Sequence, residues 1–307
     1  MTRTLIQVAD REFRITGKRV RIARLEAEFY HYIVDPEPVI ARLRGLPDRP
    51  DIFTFTQSLA DTAPRFSYLM EWDNLAVIPV STFEHWWDRQ IVSVARNRAR
   101  QAAKRGVVLR EAPFDEHLVR DIWKIYNETP IRQGRPFPHY GKDYETVYRE
   151  EATFLDDSVF IGAYLGEELI GFVKLVMDEA RTQAGTMNIL SMIRHRDKVP
   201  NNALIAQSVR SCADRGIPNL VYWRFAHGKR ERDSVSDFKE RNGFKRVELP
   251  RYYVPLTAWG RVALSLGLHH RFVDRLPEPL GEKLRDLRSR WYNRKTHTAD
   301  ARAQVSS

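Results

Sequence analysis

The sequence predicts an α/β (α+β) protein, and three observations carry the prediction. From residue 107 onward, segments with a two-residue apolar period alternate with segments of helical period. Ahead of them, residues 1–80 hold short runs in which aromatic or β-branched residues alternate with polar ones, as half-buried strands do. The composition is that of an ordinary globular chain, 307 residues with 43% hydrophobic and 29% charged, which excludes a disordered, collagen-like or coiled-coil protein.

In chain order, the predicted strands of the first part are 5–8 (LIQV), 12–15 (EFRI), 20–25 (VRIARL), 29–34 (FYHYIV), 51–57 (DIFTFTQ), 66–72 (FSYLMEW) and 75–80, with a short helix over 38–44. Prolines 36, 38, 47, 50 and 64 punctuate the region. At Ser81 the pattern changes: Ser81-Thr82-Phe83-Glu84 has the spacing of a capping box, and a long helix is expected from there to about Lys104, stopped by Gly106. Trp87, Ile91, Val94 and Ala102 can share its apolar face. Residues 89–110 carry seven Lys or Arg and no acidic residue, which is either a solvated face or an anion-binding one.

Next come a strand at 107–111, helices over 115–127 and 143–155, a strand pair 158–165 and 169–178 around Gly166-Glu167-Glu168, and a strand at 186–193. A helix over 201–215, a strand at 219–225, a helix over 234–242 and strands 244–249 and 252–256 complete the series. A hairpin, a crossover helix and a parallel strand make an α/β or α+β signature. In the tail, 256–307, ten Lys or Arg face five Asp or Glu. Its Leu264, Leu268, Phe272 and Leu276, and its Leu280, Leu284, Leu287 and Trp291, form helical stripes suited to docking or to an anionic lipid surface. The expected organisation is a strand-rich segment 1–80, a basic linking helix 81–106, a domain 107–255 and a basic helical tail 256–307.

The formal charge of +10 favours phosphate, nucleic acid, anionic lipid or an anionic cofactor as partner without choosing among them. The single cysteine, Cys212, can form no intrachain disulfide, which fits a reducing compartment. No signal peptide or membrane span is visible, so the expected location is cytoplasmic, with a peripheral membrane attachment as the variant.

VFIGAYLGEELIGFVKLV (159–176), the strand and helix after it, and DFKERNGFKRVE (237–248) together resemble a GNAT-fold N-acyltransferase over about 107–255. The upstream stretch 79–111, with its Arg-rich helix and a glycine before the acyltransferase half, is similar to the Fem-type aminoacyltransferases and their exopolysaccharide-associated GNAT relatives. In that family the last motif reads Phe-Lys, as Phe238-Lys239 does here. The resemblance implies a GNAT-like acyltransferase fold of two GNAT-like halves, the first degenerate, followed by a C-terminal helical extension. It also implies transfer of an acyl or aminoacyl group to an amine acceptor, such as a cell-envelope or polysaccharide precursor.

The sequence departs from the acetyl-CoA pattern in two places. The pyrophosphate-binding loop of such enzymes is glycine-rich, because backbone N–H groups must close on the phosphates, whereas residues 194–203 contain no glycine. Arg194, Arg196, Lys198, Asn201 and Asn202 are the candidates for holding the donor there. The tyrosine that serves as general acid in many acetyltransferases is replaced by Lys239, in keeping with the Fem-type resemblance. The co-substrate is therefore acyl-CoA (acetyl-CoA) or aminoacyl-tRNA, with no metal.

N-acyl transfer needs a proton acceptor, oxyanion donors and an acid. His195 is the best-placed titrating group near the strand 186–193 and reads equally as a surface histidine. Lys239 is either an oxyanion-stabilising cation or a solvated lysine. Asp178, Glu179, Tyr222 and Arg224 are candidates for contacting the acceptor, with Asn188 and Ser191 as orienting groups and Tyr252 and Tyr253 as core or rim aromatics. His269-His270 reads as a pair without carboxylate support, and no metalloprotease, nucleotide-hydrolysis or serine-hydrolase motif is present. The rival function is a nucleic-acid-binding or anionic-membrane-binding protein whose GNAT-like domain is catalytically idle.

Overall fold

The computed structural model describes residues 3–8, 10–28, 30–225 and 234–270. The strands are β1 (Arg3–Val8), β2 (Arg11–Thr16), β3 (Ile22–Leu25), β4 (Ile52–Thr56), β5 (Leu69–Pro79), β6 (Val107–Ala112), β7 (Ile131–Arg132), β8 (Arg135–Pro136), β9 (Ser158–Leu165), β10 (Glu168–Met177), β11 (Ala184–Ser191), β12 (Asn219–Val221) and β13 (Lys245–Pro255). The helices are α1 (Glu37–Arg44), α2 (Phe83–His85), α3 (Ser93–Lys104), α4 (Glu116–Tyr126), α5 (Tyr144–Glu151), α6 (Pro200–Asp214), α7 (Ser234–Arg241) and α8 (Ala258–Ser265). No helix among the described residues is long and apolar enough to cross a membrane.

Among the described residues two compact units are each assembled from separated segments, one from 3–96, 174–187 and 205–270, the other from 97–173 and 188–204. This division does not coincide with the linear segments expected from the sequence, because late strands return to the first unit. In that unit the strand order is β1-β2-β3-β4-β13-β5-β12-β11. β13 lies between β4 and β5, antiparallel to both, pairing Tyr253 with Thr54 on one side and Leu249 with Asp73 on the other. β3 runs parallel to β4, and β12 parallel to β11. One core of the unit gathers Phe13, Leu25, Ile40, Leu43, Phe53, Phe55 and Tyr252, with Phe55 stacked between Phe53 and Tyr252 at 5.2 Å from each.

In the second unit β9 lies between β10 and β6, with Val107 opposite Leu165 and Ala112 opposite Phe160. α4 packs its Leu118, Val119, Ile122, Ile125 and Tyr126 against Phe160, Leu169 and Phe172. Asp115 caps this helix, accepting from the Leu118 N–H at 2.8 Å.

Several local expectations are corrected. The helix expected from Ser81 to Lys104 is broken: α2 is capped by Thr82 rather than Ser81, a π-turn spans Trp86–Gln90, and Ile91 is extended at φ −73°, ψ 135°. Buried Trp86 causes the break, since its indole N–H donates to the Asn242 carbonyl at 3.0 Å while the Val92 N–H leaves the helix for the Arg241 carbonyl. α3 then buries Ala95, Ala99 and Ala102, while Val94 is exposed.

Residues 30–34 are not a strand, and position 29 of the expected strand lies outside the described residues. Tyr30 turns inward to meet Trp223 edge-on at 6.3 Å, and the Tyr32 hydroxyl accepts from Gln183 at 2.8 Å, so this aromatic run anchors a turn. The separate strands expected at 66–72 and 75–80 merge into β5, and those at 244–249 and 252–256 merge into β13, because Asp73, Asn74, Pro250 and Arg251 continue the ladder. The helix expected at the start of the tail is α8, which ends before the histidine pair. The stripe residues from Phe272 to Trp291 lie outside the described residues.

Candidate functional site

Lys239 occupies the inward face of α7 and is 3% exposed. Its Nζ donates to the Arg224 carbonyl at 2.5 Å and lies 4.4 Å from the centre of the Tyr222 ring. The solvated alternative is thereby removed: this ammonium is enclosed by a carbonyl and an aromatic face. Gly243 closes α7 with φ +89°, where an added Cβ would stand 3.1 Å from Trp86 Nε1 and 3.2 Å from the Gln90 carbonyl, so a side chain there is strained. Burial pushes the Tyr222 hydroxyl up to about 12, so it stays protonated at neutral pH.

The Arg224 side chain reaches the other way, to Asp73 Oδ2 at 2.8 Å. The same oxygen accepts from Arg251 Nε at 2.9 Å, and the Arg251 fork closes on Glu28 with bonds of 3.0 and 2.8 Å. Burial works to raise the Asp73 carboxyl, but Arg251 and Arg224 outweigh it and hold it below its ordinary value. Burial likewise opposes the Arg251 charge, and Glu28 and Asp73 reverse the effect, raising its pKa. Arg24 beside them is lowered, by burial first, with Arg251, Arg14 and Arg224 adding repulsion. Lys239, Tyr222 and Arg224 thus belong to one cluster, fastened to a buried ionic network that the sequence reading missed. The available signal was the charge of Asp73 and Arg251, each between two segments expected to be strands.

Asp178 and Glu179, also in this unit, have other partners. Asp178 closes the β10–β11 turn, accepting from the Thr182 and Gln183 N–H groups at 2.7 and 3.0 Å and from the Thr182 hydroxyl at 2.6 Å. Glu179 forms a two-bond ion pair with Arg11, which lowers its carboxyl pKa.

The remaining expected residues lie in the second unit. His195 Nε2 is 3.0 Å from Glu168 Oε2, and Arg194 pairs with the other oxygen of that carboxylate. A carboxylate orienting an imidazole is the arrangement a general base uses. Arg105 donates to the Asp197 carbonyl, Lys198 pairs with Asp197 at 3.2 Å, and Val199 takes a left-handed φ of 50° before Pro200 opens α6. Asn202 is buried in the first turn of that helix, beside half-buried Asn201. The Ile193 and Arg194 N–H groups both point at Glu128, at 2.7 and 3.0 Å, so a carboxylate of the protein occupies these two backbone donors. Arg132 joins Glu128 at 3.2 Å and donates to the Ser191 carbonyl at 2.7 Å. Deeper in, Tyr126 and Asn188 donate to Glu151 Oε1 at 2.6 and 2.9 Å. Glu128, Arg132, Glu151 and Glu168 were not singled out from the sequence.

Tyr252 is core and caps a turn through its hydroxyl, which accepts from the Arg65 N–H at 2.8 Å. A pocket of ≈ 260 Å³ lined by Arg110, Asp115, His117 and Tyr164 contains none of the expected residues. The histidine pair does have carboxylate support: Glu71 of β5 lies 3.0 Å from both His269 Nε2 and His270 Nε2.

The architecture is a GNAT-like fold. The C-terminal domain of a putative lysylphosphatidylglycerol synthetase from Agrobacterium fabrum superposes with a TM-score of 0.55 at 13% identity, over 86% of this chain and 87% of that one. L-PGS from Bacillus licheniformis gives 0.54 at 11% identity, over 86% and 88%, and FemX gives 0.51 at 10%, over 81% and 87%. No family model and no curated protein matches the sequence.

Proposed function

We propose that the protein is an N-acyltransferase that moves an aminoacyl or acyl group from an activated donor to an amine, with Lys239 stabilising the oxyanion. The observation that carries the reading is the Phe238-Lys239 pair in α7, whose ammonium is held inside the protein beside Arg224 and Tyr222. A fixed cation in a low-dielectric site stabilises developing negative charge far better than one in water. The GNAT-like fold shared with FemX and the lysylphosphatidylglycerol synthetases supports the same class.

In the proposed step the amine nitrogen attacks the donor carbonyl carbon, and the C=O π pair moves onto oxygen, which Lys239 stabilises. Collapse re-forms the carbonyl and breaks the donor ester or thioester bond. The leaving oxygen or sulfur takes up a proton, and the new amide nitrogen loses one to water. Aminoacyl-tRNA is the favoured donor over acetyl-CoA or other acyl-CoA, because the 194–203 loop lacks glycine and Glu128 occupies its leading N–H groups. Arg194, Arg196, Lys198, Asn201 and Asn202 remain the proposed donor contacts, and Tyr222 and Arg224 the proposed acceptor contacts.

Thermal melts of the purified chain with mixed aminoacyl-tRNA, uncharged tRNA, acetyl-CoA and longer acyl-CoAs test the reading. A ligand at 100 times its Kd stabilises the folded state by about 2.7 kcal/mol. Saturable stabilisation by charged tRNA beyond that by uncharged tRNA is expected. A response to CoA esters alone would transfer the proposal to acyl-CoA. Equal, steeply salt-dependent responses to both tRNAs would replace transfer with RNA binding, and no response to any donor overturns it.

A further inference from the structure

β5 carries Glu71 opposite Arg251 of β13, and α8 brings the chain back to the same place. That helix ends with Gly267 at φ +63°, whose N–H bonds to the Leu264 carbonyl while the Leu268 N–H bonds to that of Ala263. The turn delivers two consecutive histidines to one carboxylate. His269 and His270 have ring centres 3.9 Å apart, and both Nε2 atoms lie 3.0 Å from Glu71 Oε1. One potential ligand atom from each of the three residues falls within 4.8 Å of the other two.

Two imidazole nitrogens and one carboxylate oxygen brought together in this way make a ligand set for a divalent cation, to which each Nε2 would offer a lone pair while the carboxylate balances the charge. Ligand atoms at 2.0–2.1 Å from a tetrahedral zinc stand about 3.3 Å apart, so the two 3.0 Å separations from Glu71 Oε1 need only a few tenths of an ångström of adjustment, and the two imidazole nitrogens lie within 4.8 Å of each other. The donor set of two imidazoles and one carboxylate suits zinc-class ions rather than magnesium or calcium.

The surroundings fit as well. The His269 side chain is 3% exposed and packs 4.6 Å from the Tyr253 ring, giving the site a rigid wall. The His270 and Glu71 side chains are 41% and 34% exposed, which leaves an entry path and a coordination position open to water. We propose that Glu71, His269 and His270 bind one divalent transition-metal ion of the zinc class, fastening the segment after α8 to β5. The proposal is independent of acyl transfer and uses none of its residues.

The test uses the full chain, stripped with a chelator and dialysed, then titrated calorimetrically with zinc chloride and assayed for retained metal by plasma emission spectrometry after gel filtration. One zinc per chain is expected, with at least a tenfold loss of affinity in Glu71→Gln, His269→Ala and His270→Ala. Cobalt(II) loading should give a d–d absorption spectrum that His270→Ala alters. Because His270 is exposed, that variant should keep the far-UV circular dichroism of the parent, so a loss of binding there is not a loss of fold. Metal retention equal in the parent and in a His269→Ala/His270→Ala double variant overturns the proposal, as does absence of zinc binding by the folded parent.

Discussion

Arg224 presents its main-chain carbonyl to the Lys239 ammonium at 2.5 Å and its guanidinium to Asp73 at 2.8 Å. One residue therefore links the proposed oxyanion cation to the buried Glu28–Arg251–Asp73 network. The position of the ammonium is tied to charges on β5 and β13.

At the chemical end, Lys239→Met keeps the length of the side chain and removes its charge. Turnover with the accepted donor should fall by about 100- to 1,000-fold, the range found when one oxyanion donor is removed. The melting temperature should change little, and Lys239→Arg should recover part of the activity. Unchanged turnover in Lys239→Met would show that the cation is only structural.

At the network end, Arg251→Ala leaves Glu28 and Asp73 as enclosed carboxylates without their principal partner. Breaking one side of a buried ion pair costs about 3–5 kcal/mol, which should appear as a lower urea midpoint at unchanged slope. A cost below about 1 kcal/mol would mean that water replaces the arginine, as it does at exposed pairs.

His139 gives the second unit a pH signature. Its pKa is lowered from 6.5 to about 4, by burial first and then by Lys142 at 3.2 Å, with Glu150 opposing. It also faces Tyr126, Phe137 and Arg132. Between pH 6.5 and 4 the unfolded chain binds this proton and the folded chain does not. Its contribution is thus full above pH 6.5 and declines as pH falls toward 4. Urea midpoints at several pH values should fall less steeply in His139→Gln than in the parent. Parallel curves would assign the titration elsewhere.

Gly260→Ala distinguishes packing from helix propensity. The glycine lies in α8, where an added Cβ would stand 2.0 Å from the Asp51 carbonyl oxygen. Propensity alone favours alanine in a helix by about 1 kcal/mol, whereas overpacking against backbone costs about 1–3 kcal/mol. Destabilisation is expected in thermal unfolding, and a stabilised variant would show that α8 is not held against Asp51.

The parts of the fold legible in the sequence are those governed by local periodicity. The β9–β10 pair, α4, α6 and α7 fall where their apolar spacing and caps place them. The helix from Ser81 was misread because its break depends on the Asn242 carbonyl, 156 residues away. The aromatic run 29–34 has strand composition, but Tyr30 is taken by Trp223 and Tyr32 by Gln183. The site follows the same division. Phe238-Lys239 was recognisable, whereas Arg251 finds Asp73 and Glu28 at separations of 178 and 223 residues, which no window along the chain reveals. The His269-His270 pair was visible and its carboxylate, in β5, was not.

The placement of β13 between β4 and β5 has a consequence for synthesis. These two early strands do not pair with each other among the described residues, and each awaits a partner encoded roughly 180 residues later. At about 5–20 residues per second, a ribosome leaves both edges unfilled for about 10–35 s. During that interval the nascent first unit presents open strand edges to any neighbour. Its assembly is a late event that closes only when the end of β13 emerges, so chaperone dependence and truncation sensitivity should concentrate at the C-terminal side of the chain.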